Sequence, residues 1–64
     1  MVRFLAGRGL SIIRIRGSHH FMEGAGMRTT VPVHGNRPLK IGTLRSILRD
    51  INMTPTEFEA LWRA

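Results

Sequence analysis

The chain has 64 residues, with ten Lys or Arg against four Asp or Glu, a net charge of +6 with neutral histidines, and no cysteine. A chain this short buries only about 60% of the surface its unfolded form exposes, which excludes a large enclosed pocket and points to one small domain over residues 1–64. Without cysteine there is neither a disulfide framework nor a thiolate zinc site, and no apolar run reaches the about 18 residues that would span a membrane. Nine of the ten cations are arginine. The planar guanidinium reads phosphate bidentately and stacks on bases, so a polyanionic partner is expected and a membrane surface is not.

Arg3, Gly7, Arg8 and Gly9 interrupt the start of the chain, which argues against a secretory leader and for a cytoplasmic protein. Val2, Phe4 and Leu5 instead predict a stub of helix, stopped at Gly7 or Gly9 by a left-handed residue. From Leu10 to Arg16, Ile12, Ile13 and Ile15 alternate in part with Arg14 and Arg16, the period-two pattern of a half-buried strand. Gly17-Ser18 is a tight turn. His19 to Glu23 then returns as a second strand, Gly24-Ala25-Gly26 is a hairpin loop, and Arg28 to Val33 is a third strand. Pro32 has no amide hydrogen for a ladder bond and so places that third strand at an edge or turns its nitrogen outward.

After the loop His34-Gly35-Asn36-Arg37-Pro38 the period changes. Ile41, Leu44, Ile47, Leu48 and Ile51 recur at three- and four-residue spacing and predict a helix of about ten residues, while Lys40, Arg45 and Arg49 lie elsewhere on it. Thr54-Pro55-Thr56-Glu57 carries a capping box with proline at the first helical position. Phe58, Leu61 and Trp62 follow at helical spacing and are expected in the core. The order describes an α+β fold of two layers, a three-stranded antiparallel sheet with helices on one face and the other face open. Strand alternation puts His19 and Phe21 on one face and His20 and Met22 on the other; Met22 is expected inward, leaving His19 on the open face.

Gly17-Ser18-His19-His20, then Thr30-Val31-Pro32-Val33-His34-Gly35-Asn36, Leu39-Lys40 and Gly42-Thr43-Leu44-Arg45-Ser46-Ile47-Leu48-Arg49, resemble in order and spacing the HicA toxin family of bacterial toxin-antitoxin systems. The resemblance covers nearly the whole chain. It implies a fold similar to a double-stranded-RNA-binding domain (α-β-β-β-α), here with a shortened first helix and a short extra helix at the C-terminus. It further implies an mRNA interferase in which a histidine of the glycine turn is essential for cleavage, and a HicB-like antitoxin that covers the active site. That histidine falls on His19.

Imidazole titrates near neutral pH and can take a proton from a ribose 2′-hydroxyl as it attacks the adjacent phosphate, a reaction that needs no metal or other cofactor. Arg14, Arg16, Arg28 and Lys40 are candidates to stabilise the charge that develops on phosphate oxygens. Gly17 would let an RNA backbone approach, Ser18 could orient an imidazole or a phosphate, and His20 and His34 are auxiliary candidates for RNA contact. The acids are few and no ligand spacing is recognisable, so a metal site is not expected. The reading of another class is a non-catalytic RNA-binding module using the same basic surface.

Overall fold

A computed structural model describes residues 1–35 and 37–63, with the order α1 (Val2–Gly7), β1 (Ser11–Arg16), β2 (His19–Gly24), β3 (Met27–Pro32), α2 (Ile41–Asp50) and α3 (Pro55–Arg63). Asn36, in the loop and in the motif quoted above, lies outside the described residues. The strands form one antiparallel sheet in the order β1-β2-β3. Helices pack on one of its faces, the arrangement of a double-stranded-RNA-binding domain with a shortened first helix and an additional last one. The α+β class and layer arrangement are those expected.

Local chemistry sets each boundary. The left-handed residue that closes α1 is Gly9, beyond its last helical residue Gly7: Gly9 has φ 97°, its amide donates to Ala6 O at 3.1 Å, and Leu10 N donates to Leu5 O at 3.1 Å. These two bonds are a Schellman motif, and its accompanying apolar contact is Leu5 with Leu10, both fully buried. Helix α2 ends the same way with asparagine in place of glycine. Asn52 has φ 56° and donates to Arg49 O, and Met53 N donates to Leu48 O at 2.9 Å, with Leu48 and Met53 both buried.

The capping box of α3 is formed as expected: Glu57 N donates to Thr54 Oγ1 at 3.1 Å, and Thr54 N donates to Glu57 Oε1 at 3.0 Å. The Thr54 amide and hydroxyl hold the Glu57 carboxyl below its ordinary value. A carboxyl depressed in the folded state contributes stability above its unfolded pKa and loses it as pH falls through the folded one. Helical circular dichroism should therefore drop in acid, below the usual carboxylate range, by a step that Glu57→Gln lacks. An identical acid titration in the two proteins would refute this.

The core lies between the helices and the central and third strands. Leu5, Met22, Val31 and Ile47 are its fully buried side chains, joined by Leu10, Leu48, Ile51 and Met53. Met22 points inward as expected, and Thr29, opposite it on β3, is also buried. Thr29 Oγ1 donates to Asp50 Oδ2 at 2.9 Å, tying β3 to the last residue of α2. Asp50 sits at the negative end of the helix dipole, and the hydroxyl offsets that unfavourable placement. Thr29→Val should cost about 1 kcal/mol, read as a lower urea midpoint at unchanged slope. No shift in the midpoint would show that the bond contributes nothing.

Two expectations need correction. Strand β1 is not half-buried: every residue in it is exposed, including Ile12, Ile13 and Ile15. The helices cover β2 and β3 and leave the β1 edge bare, so its apolar side chains have the right period but no layer above them. Phe58, Leu61 and Trp62 are not core either. Phe58 is half-buried, while Leu61 and Trp62 are 44% and 52% exposed. Helix α3 leans on the molecule through Phe4, which meets Phe58 edge-on at 5.2 Å and Trp62 at 5.6 Å, while Leu61 and much of Trp62 stay exposed.

Candidate functional site

A two-residue hairpin places the histidine pair. Gly17 has φ 58° and Ser18 does not share the positive sign, the pattern of a type II′ turn whose first position demands glycine. Ser18 is pinned through its carbonyl, which accepts from Val33 N at 2.7 Å, so the turn is fastened to the end of β3. The same bond explains how Pro32 is tolerated. Amides along a strand alternate in direction, so when Val33 N points to the turn, the hydrogen-free nitrogen of Pro32 faces the outer edge.

The register of β1 decides which cations join His19. Ile12 is opposite Met22 and Arg14 is opposite Phe21, so Ile13 is an extra residue in a bulge. The Ile12-Ile13 pair breaks strict alternation, and the bulge absorbs that break. Ile12 and Ile15 then both face the helix side, while Arg14 and Arg16 both face the open side. Directly opposed residues share a face with Cβ atoms about 5 Å apart. Arg16 opposite His19, and Arg14 opposite Phe21, therefore form a basic and aromatic block on the open sheet face at the hairpin end.

His19 is exposed, and Pro32 is its partner on β3. His20 goes to the other face. It is half-buried between Ile15 and Val31, and its Nδ1 is buried without a hydrogen-bond partner. The two imidazoles thus point apart and do not converge on one ion or one phosphate.

The remaining candidates are dispersed. Arg28 faces the open side but at the far end, opposite Glu23, about 13 Å along β2 from the His19 position. Its Nε donates to Glu23 Oε2 at 2.9 Å, a solvent-exposed ion pair of small net energy. Lys40 is the exposed N-cap of α2 and belongs to the helix layer. His34 is exposed just after β3 and borders a groove with Pro32 and Gly35. The four acids are Glu23, Asp50, Glu57 and Glu59. All are engaged, Glu59 with Arg63 at 2.7 Å, and none stands in the His19, Arg14 and Arg16 block.

That groove, of about 520 Å³, was not foreseen from the sequence. It is assembled from α1, the end of β3, the following loop, α2 and α3, so no single segment carries its signature.

None of the curated proteins and none of the solved structures compared matches this chain. A family model does match, that of the HicA toxin of bacterial toxin-antitoxin systems, over residues 1–53, and so takes in the hairpin, the sheet and α2. By that match across most of its length, the chain belongs to the HicA toxin family.

Proposed function

We propose that this toxin-family protein is a metal-independent endoribonuclease that cuts mRNA, with His19 as the base. The observation that carries the reading is the cross-strand pair of Arg16 and His19 at the open end of the hairpin, with Arg14 next along the same face. In this reading the imidazole takes the proton of a ribose 2′-hydroxyl, and the 2′-oxygen attacks the adjacent phosphorus. The bond from phosphorus to the 5′-oxygen breaks, and that oxygen leaves with a proton from solvent. The products are a 2′,3′-cyclic phosphate and a 5′-hydroxyl.

Each neighbour has a defined task in this scheme. Arg16 and Arg14 stabilise the charge growing on the phosphate oxygens, where guanidinium donors act without reorganising. Phe21 offers a ring beside them on which a base can stack. Gly17 has no atom within 4 Å of where a side chain would begin, so an RNA backbone can approach the turn closely. His20, with its unpartnered Nδ1 on the helix side, supports the hairpin rather than the chemistry.

The open, cationic face is also where a HicB-like antitoxin would act, by covering His19 and its arginines. An acidic partner surface suits a net charge of +6. The test is incubation of the purified protein with single-stranded RNA in EDTA, with end-group analysis of the fragments. Cyclic phosphate ends support the reading. Intact RNA bound without cutting would assign the protein to the non-catalytic RNA-binding class instead.

A further inference from the structure

The aromatic residue expected in the core is the most exposed part of its cluster. Trp62 rests on Phe58 at 5.2 Å and 32° and on Phe4 at 5.6 Å, yet 52% of its surface remains open. It forms one wall of the 520 Å³ groove, which has Val31, Leu39 and Phe58 along its apolar lining and Arg3 and Arg37 at exposed positions on it. Among the described residues, no Asp or Glu lines this groove. Its size is in the range of sites that hold small organic ligands, about 300–1,000 Å³.

The groove reaches the end of β3, which is paired with the His19 hairpin. Pro32, which lines it, is the cross-strand partner of His19, and Val33, which also lines it, is hydrogen-bonded to Ser18. We propose that this groove is a nucleobase subsite for single-stranded RNA, in which Trp62 stacks on a base flanking the phosphate at His19 and Arg3 and Arg37 hold its backbone phosphates. An apolar slot with one exposed indole and two guanidinium groups suits an unstacked base with anions on either side. A duplex would keep its bases stacked and could not fill it. Phe58 and Trp62 belong to α3, beyond the matched residues 1–53, while Arg3 and Arg37 lie within them. The inference rests on the RNA reading above and adds to it where the strand runs.

Trp62 is the single tryptophan, so its fluorescence reports on the groove directly. The experiment uses the His19→Ala protein, to prevent cutting, and a six-nucleotide single-stranded oligoadenylate. Binding should quench Trp62. By anisotropy of a labelled oligoadenylate, Trp62→Ala should bind about tenfold more weakly. Trp62→Phe, which keeps an aromatic ring and the packing on Phe58, should recover most of the affinity. Arg3→Gln and Arg37→Gln, at exposed positions, should each weaken binding and lower the salt slope by about one.

Oligoadenylate that binds with unquenched Trp62 and equal affinity in all variants would overturn the subsite while leaving the ribonuclease reading intact. Neither binding nor cutting of RNA by the unmodified protein would overturn both. Trp62 unaffected by oligoadenylate but shielded by a bound antitoxin would assign the groove to protein docking, against this proposal.

Discussion

His19→Ala is expected to abolish RNA cleavage measured in EDTA, lowering the rate at least about a hundredfold while RNA binding changes little. The loss should be this large because a positioned base typically supplies 100- to 10,000-fold, and among the paired strand residues His19 is the one imidazole on the open face. His20 is one residue away in sequence but on the other side of the sheet, between Ile15 and Val31. It cannot substitute without a one-residue slip of β2, which would also drive Met22 out of the core. His20→Ala should accordingly keep cleavage. Cleavage retained by His19→Ala, or lost equally in both variants, would remove His19 from its role.

Gly24→Ala is expected to be the most destabilising of the glycine-to-alanine changes. A Cβ at Gly24 would run into the backbone at Gly9 O and would lie 2.9 Å from Leu10 Cα. Backbone at the end of α1 cannot swing aside as a flexible side chain can, because the Schellman bonds to Leu5 and Ala6 hold it there. Overpacking of this kind costs about 3 kcal/mol, against a total stability of about 6 kcal/mol for 64 residues. Gly7→Ala is the control, since nothing lies within 4 Å of a Cβ there and alanine favours the helix. Urea melts should show the first variant far less stable and the second unchanged or slightly more stable. Similar midpoints for both would mean that the end of α1 does not pack tightly against the turn at Gly24.

Much of the candidate site was legible because it is local. A glycine turn between two strands, and the alternation that sends neighbours to opposite faces, are enough to put His19 and Phe21 together and His20 with Met22. Capping chemistry was equally local: the Thr54 and Glu57 box formed where the residue types placed it. The arginines were less legible. Arg14 and Arg16 could be assigned to one face only through the bulge at Ile13, and Arg28 looked equivalent to them until its register set it opposite Glu23.

What the sequence determined by itself, then, is the set of elements, the excess of positive charge and the separation of His19 from His20 onto opposite faces, which follow from the residue types and from patterns within a few residues. Only the tertiary structure decided which apolar faces are covered. Ile12 and Ile15 have the period of buried residues and Trp62 the spacing of a core helix, yet all three are exposed. Periodicity shows that a face is apolar; whether another layer lies over it depends on where the helices come to rest. Here they rest over β2 and β3, leaving the β1 edge bare and the Trp62 groove open beside the His19 hairpin.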